Sequence, residues 1–221
     1  MKNKFIKIAY VSEKGQDEGG LSKDWFTNVA NELVKLNAFV PVPNETKLTF
    51  NKYCDNQEIY EFTGKLIALA LTNKRNINIR LSSFIWKKIM NECITIEDMN
   101  DYDSQLYQSL KWISENDPEP LMMTFVDSND EELCPNGKNI ELVNENKEKF
   151  ISLMIEKKLI EPNLESINSI VKGFTNIISL NEINILNSRE IQDLVNGDEN
   201  IDFNDWKMNI IHNNAKMYDE F

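Results

Sequence analysis

A nearly unbroken apolar segment in the first third of the chain sets the strongest constraint on the fold. Between Tyr60 and Leu71 the residues YEFTGKLIALAL are apolar on almost every helical face. This pattern favours a helix buried at the centre of a core over one that lies on a surface. Only seven Gly and six Pro occur in 221 residues, so few breakers interrupt long helices. We predict a mostly helical α+β fold.

Apolar spacing predicts the remaining elements. Periods of three and four residues indicate further helices at 21–36, 81–90, 106–113, 147–157, 163–178 and 188–196. In the first of these, Leu21, Trp25, Val29 and Leu33 form the apolar stripe. Strand-forming residues predict an opening strand at 4–11 and a hairpin of 121–126 with 138–143, whose loop covers 127–137. Gly197 should end the last of these helices, and IDFNDW (201–206) should start a final turn or helix.

Charge and hydropathy exclude several classes of function. The formal net charge of −12 repels phosphates, and no basic stripe offsets it, so we expect no nucleic-acid partner. No apolar run is long enough to cross a bilayer, and Lys interrupts the opening MKNKFIKIAY too early for a secretory signal. We expect no membrane partner and a cytoplasmic protein, with the nucleus left open as a second location.

Cysteine and histidine are too sparse for the common catalytic or metal sites. Cys54, Cys93 and Cys134 lie far apart without a CxxC pair, and His212 is the single histidine. A disulfide framework, a metal site and a nucleophile–histidine pair are therefore all poorly supported. We expect no cofactor and no metal, and we interpret the three cysteines as structural or incidental.

Six segments, in this order, carry a resemblance to a known family. They are GQDEGGLSKDWF (15–26), FTGKLIALALTN (62–73), LYQSLKWISENDP (106–118), LMMTF (121–125), NGKNIELVNENKEKF (136–150) and IDFNDW (201–206). Together they resemble the N-terminal lobe of the HECT domain of ubiquitin-protein ligases. No single segment is decisive, but their order and spacing match over nearly the whole chain.

The resemblance implies a division of labour within a longer protein. A larger helical subdomain (1–81 and 151–221) would be interrupted by a smaller helix-plus-β-hairpin subdomain (82–150) that binds a ubiquitin-conjugating enzyme. The full-length protein would be a ubiquitin-protein transferase, and its acceptor cysteine would lie in a C-terminal lobe absent from this sequence. None of Cys54, Cys93 and Cys134 has the family's Thr-Cys-Phe surroundings. We therefore expect no catalytic residue here and no activity of this chain alone.

The same resemblance assigns the docking of the conjugating enzyme to three elements. The positions that match by motif are Leu106, Leu110, Asn116, Leu121, Met123, Phe150 and Met154. Each element offers an apolar stripe, because the helical pairs are four residues apart and the strand pair is two apart. Asn116 stands where other family members carry an aromatic residue. The alternative is that these stripes simply form the core of the smaller subdomain.

Acidic residues cluster in the same region. From Glu97 to Glu132 the sequence has eleven acids and one base, Lys111. Such a run is usually a solvated face, but around an apolar groove it would steer a basic partner. We expect a ubiquitin-conjugating enzyme and ubiquitin as partners, with protein substrates bound by regions outside this chain. The alternative function is a non-catalytic adaptor or scaffold that binds a conjugating enzyme or another protein.

Overall fold

The computed structural model of the chain describes residues 6–9, 11, 20–43, 46–197 and 207–208. Its architecture confirms the predicted mostly helical α+β class. The helices within this part are α1 (Gly20–Val34), α2 (Gln57–Thr72), α3 (Ser83–Ile89), α4 (Ile96–Asn100), α5 (Ser104–Glu115), α6 (Lys147–Ile155), α7 (Leu164–Thr175) and α8 (Ser188–Asn196). A two-stranded antiparallel sheet joins β1 (Phe39–Pro41) to β2 (Leu48–Phe50).

Helix α2 lies at the centre of the core, as its apolar sequence predicts. The side chain of Asn56 caps its start by accepting a hydrogen bond from Glu58 N at 3.1 Å. Tyr60, Leu66 and Ile67 are all buried along its length. The helix packs against α7 over most of both lengths, so these two helices form the frame on which the other elements are placed.

Two glycines bring the backbones of α2 and α7 into direct contact. A Cβ atom at Gly64 would lie 2.0 Å from the carbonyl oxygen of Ile170, and one at Gly173 would lie 1.9 Å from that of Glu61. Only hydrogen fits at either position. At the rim of this contact, Lys172 Nζ reaches Glu61 Oε2 at 2.7 Å. The hydrogen bonds from Lys172 and Lys65 hold the pKa of Glu61 at about 2.

The small sheet closes one end of the α2 frame through an aromatic cluster. Phe39 and Phe50 stack at 5.9 Å, and each meets Tyr60 edge to face, at 5.4 and 5.2 Å. The Tyr60 hydroxyl donates to the carbonyl of Ala38 at 2.8 Å. Sequence analysis missed this sheet, because its strands are only three residues long and give no readable alternation.

Two predictions near the N-terminus need correction. Residues 6–9 of the predicted opening strand 4–11 are not in a strand; the amide of Ile6 donates instead to Asn73 Oδ1, just after α2. In α1, the side chains of Leu21, Trp25 and Val29 are only half-buried, and Phe26 and Ala30 face the core together with Leu33. The buried stripe thus follows Phe26, whose ring fills more of the core than Leu21 or Val29 would.

A buried carboxylate joins α3 to α4. Thr95 and Asp98 form a capping box at the start of α4. Asp98 also accepts hydrogen bonds from Lys87 Nζ at 2.6 Å and from Ser83 Oγ at 2.8 Å, both from α3. Helix α3 in turn packs against α7 and α8. The division of the chain at residues 82 and 150 stays a prediction.

The predicted hairpin of 121–126 with 138–143 is present as a single bridge. Thr124 and Glu141 form an antiparallel bridge, and the amide of Leu142 donates to the carbonyl of Met123 at 2.8 Å. Regular strands do not extend from it, because 3₁₀ turns occupy Glu119–Leu121 and Gly137–Asn139. These turns shorten both arms, so the pairing is one bridge and not a ladder.

The C-terminal helices lie close to their predicted positions. Helix α6 continues through a π-helical segment at Glu156–Ile160 and a 3₁₀ turn at Glu161–Asn163 into α7. Asn146 is the N-cap of α6. Helix α8 ends at Gly197, as predicted.

The predicted element at 201–206 and His212 lie outside the described residues. In the described part, no helix combines the length and hydropathy that a membrane span needs.

Alanine at Gly64 or at Gly173 should destabilise the protein, because either new methyl group would push α2 and α7 apart. Overpacking costs more here than the roughly 1 kcal/mol that alanine gains in helix propensity. We expect each variant to lose on the order of 2 kcal/mol in the free energy of unfolding, measured by urea titration. Gly20→Ala is the matched control, since a Cβ there meets no atom within 4 Å. Equal stability of all three variants would contradict the close contact.

Candidate protein-docking groove

An open cleft lies between α5, α6 and the segment at 122–128. Its volume is about 350 Å³. We call it the α5–α6 cleft; its lining residues are Leu106, Ser109, Leu110, Ile113, Met122, Met123, Thr124, Val126, Asp127, Ser128, Phe150 and Met154. Most of the side chains that line it are apolar, so the cleft presents an oily surface to solvent.

Helix α5 supplies one wall of the cleft. The carboxylate of Asp103 caps the helix by accepting hydrogen bonds from the amides of Gln105 and Leu106, at 3.1 and 2.9 Å. The cap sets the start of the helix, which turns Leu106, Leu110 and Ile113 toward the cleft. Leu106 is half-buried, whereas Leu110 is only 1% exposed. The wall therefore runs from accessible to buried along one helix face.

The opposite wall is the irregular segment at 122–128, which the buried side chain of Phe125 anchors to the core. Phe125 is buried and packs edge to face on Phe150 of α6, with ring centroids 5.4 Å apart. Its amide donates to the carbonyls of Gly137 and Ile140. Because neighbouring side chains in an extended segment point to opposite sides, this anchor leaves the flanking Thr124 and Val126 to line the cleft.

The cleft brings together five of the seven residues predicted to bind a partner. These are Leu106, Leu110, Met123, Phe150 and Met154. Leu121 is 45% exposed in the preceding 3₁₀ turn and does not line the cleft. The exposed Asn116 follows α5, where its side chain donates to the carbonyl of Trp112 at 2.9 Å, and it too is outside the lining. The binding role of all seven stays a prediction.

The apolar stripes contribute both to the core and to the surface of the cleft. Leu110 and Phe150 are about 1% exposed and belong to the core, yet each contributes atoms to the cleft floor. Leu106 and Met123 are half-buried and form its accessible sides. Core packing thus makes the floor rigid, while the sides remain open to solvent.

Sequence analysis missed Met122 as a lining residue. Strand alternation places Met122 on the face opposite Met123, but Met122 adopts the left-handed conformation, with φ of 50°, and is 92% exposed. Such a backbone conformation is uncommon outside Gly, Asn and Asp, and no sequence signal marks it. Ile113 could have been found, since it shares the apolar face of α5 with Leu110.

A second cleft lies on the other side of Met122, Met123 and Thr124. Its volume is about 480 Å³, and Glu119, Glu141, Leu142 and Val143 complete its lining. The three shared residues therefore form a ridge between two clefts. The second cleft has two carboxylates, Glu119 and Glu141, and the α5–α6 cleft has one, Asp127.

Comparison with known proteins decides the family. The sequence profile described as HECT-domain (ubiquitin-transferase) matches residues 22–220. The chain belongs to the HECT family. Among curated relatives it is 31% identical over 220 residues to E3 ubiquitin-protein ligase Nedd-4 of Drosophila melanogaster, covering 93% of this chain and 22% of that protein.

Two further relatives give the same picture. The HECT chain is 30% identical to E3 ubiquitin-protein ligase TOM1-like of Neurospora crassa, over 95% of its own length and 6% of the relative's. It is 30% identical to E3 ubiquitin-protein ligase pub1 of Schizosaccharomyces pombe, over 98% and 30%. The chain thus spans less than a third of the length of each of these ligases.

The cysteines of the HECT chain lie away from the α5–α6 cleft lining. All three are free thiols; Cys93 is exposed, and Cys54 and Cys134 are half-buried. Cys54 lies beside the Tyr60 hydroxyl, whose pKa is raised by burial and by a hydrogen bond with that thiol. This contact belongs to the aromatic cluster around β1 and β2 and supplies no base that would activate a nucleophile.

A buried ion pair holds the loop that edges the cleft. Asp127 is buried and forms a short hydrogen bond with Lys158 Nζ. It also accepts hydrogen bonds from the amides of Asn129 and Glu131, at 2.8 and 3.1 Å. Burial alone would raise the pKa of Asp127, but the hydrogen bonds from Lys158 and the two amides outweigh it and hold the pKa below its usual value.

Asp127→Asn should remove a pH-dependent part of the stability. The amide keeps the shape of the carboxylate but cannot form the ion pair with Lys158, at a cost of roughly 1–3 kcal/mol at neutral pH. Since folding lowers the pKa of Asp127 from 3.8, its contribution is complete above that value and is lost as pH falls through the folded pKa.

Urea titrations of wild type and Asp127→Asn over a series of pH values check this linkage. The free energies of unfolding should differ at neutral pH and converge in acid, below the usual carboxyl pKa of 3.8. A difference that stays constant across the whole range would mean that the charge of Asp127 contributes nothing.

Proposed function

We propose that this HECT chain docks a ubiquitin-conjugating enzyme in the α5–α6 cleft. The observation that carries the proposal is the convergence of Leu106, Leu110, Met123, Phe150 and Met154 on one accessible cleft in a chain of the ubiquitin-transferase family. A cleft of this size accepts one or two apolar side chains from a partner's loop, and full burial of each would contribute roughly 1.5–3 kcal/mol.

The chemistry of the lining suits a transient and adaptable contact. The floor is built from rigid core side chains, so the cleft exists before the partner arrives and little ordering entropy is lost on binding. Methionines at 122, 123 and 154 contribute flexible thioether side chains that adjust to partner loops of different shape. This combination favours moderate affinity and release after each transfer.

Negative charge should guide the partner to the cleft. Glu119 and Glu141 are exposed across the Met122–Thr124 ridge, whereas Asp127 in the cleft lining is paired with Lys158 and adds little to the field. A partner that presents an apolar loop residue flanked by Lys or Arg would match this pattern. Most of the rim carboxylates are exposed and are therefore screened by salt, so they raise the rate of association more than they raise the final affinity.

In the full-length ligase, docking would hold the conjugating enzyme, with ubiquitin bound to it as a thioester, beside the acceptor cysteine. The acceptor thiolate attacks the thioester carbonyl, the conjugating enzyme's thiolate leaves, and ubiquitin passes to the ligase and then to a substrate lysine. We propose that the acceptor cysteine lies outside these 221 residues, since Cys54, Cys93 and Cys134 lack the family's surrounding pattern. Substrates would bind to other regions of the longer protein.

Leu106→Ala should weaken binding of conjugating enzymes without unfolding the chain. Leu106 is half-buried, so its truncation removes apolar contact from the open side of the cleft and costs little core packing. We expect a loss of about 1–2 kcal/mol in binding, roughly a ten-fold rise in Kd, measured by calorimetry against a panel of conjugating enzymes. Leu110→Asp would be less informative, because Leu110 is 1% exposed and its substitution would also disrupt the core.

Leu194→Ala is the matched control for that experiment. Leu194 is 52% exposed on α8, which packs against α2 and α3. Its variant should bind like wild type. If no conjugating enzyme in the panel binds wild type, or if Leu106→Ala binds as tightly as Leu194→Ala, the docking proposal is wrong.

Raising the salt concentration should weaken docking, because salt screens the acidic rim residues and leaves the apolar contacts unchanged. The acidic rim attracts a basic partner, and the Debye length falls from about 10 Å at 0.1 M to about 3 Å at 1 M salt. Plots of log Kd against log salt should therefore rise for wild type. Leu106→Ala should give a parallel line displaced to weaker binding, since it removes apolar contact and no charge. A salt-independent Kd would rule out steering by the acidic residues.

A further inference from the structure

Ser128 places an exposed hydroxyl in the wall of the α5–α6 cleft. It lines the cleft beside Asp127 and Val126 and is exposed to solvent. It lies in a turn closed by a hydrogen bond from the amide of Asp130 to the carbonyl of Asp127, at 3.1 Å. The hydroxyl is therefore within reach of both a docking partner and a modifying enzyme.

The loop that carries Ser128 projects from a firm base. The Asp127 carboxylate is fixed by Lys158 on the π-helical segment, and the amide of Asp127 donates to the carbonyl of Glu131 at 2.9 Å. Lys157 reaches Glu131 at 3.3 Å from the same segment. These contacts hold both ends of the turn, while Ser128, Asn129 and Asp130 between them are exposed.

Three consecutive acidic residues begin two positions after Ser128. Asp130, Glu131 and Glu132 stand two, three and four positions after it, and all three are exposed. Protein kinases choose substrates partly by charge complementarity in the substrate cleft. A kinase whose substrate cleft is basic would therefore find at Ser128 an accessible hydroxyl followed by three consecutive carboxylates.

Ser114 provides an internal comparison. It also precedes acids, Glu115 and Asp117, at the first and third positions after it. However, Ser114 is half-buried within α5, and its hydroxyl donates to the carbonyl of Lys111 at 2.7 Å. Modification there would require the end of the helix to unwind. Ser114 and Ser128 thus have similar acidic neighbours but differ in exposure. Comparing them tells whether a kinase selects by acidic sequence alone or also by accessibility.

We propose that Ser128 is a phosphorylation site for an acid-directed protein kinase and that its phosphate closes the α5–α6 cleft to the conjugating enzyme. The second half of this statement rests on the proposed docking function. In the reaction, Ser128 Oγ attacks the γ-phosphorus of ATP, the bond from that phosphorus to the β–γ bridging oxygen breaks, and ADP leaves. The hydroxyl proton passes to the kinase's catalytic carboxylate.

Closure follows from charge, from volume and from the pairing of the two lysines described next to the loop. The phosphate carries about −1.5 to −2 charges at neutral pH and stands beside Asp127, Asp130 and Glu131. The nearby Lys157 and Lys158 are already paired with Glu131 and Asp127. A docked partner would therefore have to bury a solvated dianion against an apolar surface, which is costly without a matching cation.

The first experiment tests the site itself. The complete 221-residue chain is incubated with ATP and casein kinase 2 as the acid-directed probe enzyme, and the modified position is read by peptide mass spectrometry. We expect one phosphoryl group on Ser128, none on Ser128→Ala, and an unchanged yield on Ser114→Ala. Absence of phosphate from Ser128 in the wild-type chain overturns the proposal.

The second experiment tests the consequence for docking. Phosphorylated and unmodified chains are titrated with the conjugating enzyme that binds most tightly in the panel, and we expect Kd to rise at least ten-fold on phosphorylation. Ser128→Glu should bind more weakly than Ser128→Gln, which has the same volume without the charge. Unchanged or tighter binding of the phosphorylated chain overturns closure of the cleft.

The two proposals fail in different ways. If unmodified chain binds no conjugating enzyme, the docking function fails and closure fails with it, while mass spectrometry still decides whether Ser128 is modified. If unmodified chain binds and phosphorylated chain binds equally well, docking stands and the regulatory step alone is refuted.

Discussion

Helices α2 and α7 meet backbone to backbone at Gly64 and Gly173, and the rest of the fold is arranged around that contact. A methyl group at either glycine would approach a carbonyl oxygen of the other helix to about 2 Å. The close approach lets α2 bury nearly every face, since α7 covers one side and the aromatic cluster of β1 and β2 covers another. Helices α3 and α8 then complete a layer against the same pair.

The α2–α7 pair is connected to the α5–α6 cleft by one continuous stretch of helix. Helix α6 passes through the π-helical segment into α7, so the helix that carries Phe150 and Met154 is joined to the helix that packs on α2. Lys158 on the π-helical turn also fixes Asp127 in the opposite wall. Helix α6 at the floor of the cleft and the irregular wall at 122–128 are thereby attached to the same rigid support, which explains how this irregular segment holds a defined surface.

The candidate function depends on a compromise between burial and access. Leu110 and Phe150 are almost completely buried in the core, yet their outer atoms form the floor that a partner would contact. Leu106, Met122 and Met123 remain accessible and define the shape of the opening. Ser128 occupies the same wall, so one loop would hold both the surface for docking and the group that regulates it.

The sequence by itself determined the helical class, the central helix at 60–71 and the end of α8 at Gly197, and its resemblance to the HECT family assigned five of the cleft residues. The first three follow from local periodicity and turn chemistry, which are written in neighbouring residues. Tertiary structure alone decided that α1 buries Phe26, that three-residue strands pair at Phe39 and Phe50, that Met122 turns left-handed and that Leu121 and Asn116 lie outside the cleft. Each of these depends on contacts between residues distant in sequence or on a backbone turn imposed by packing, and neither leaves a periodic signal in the chain.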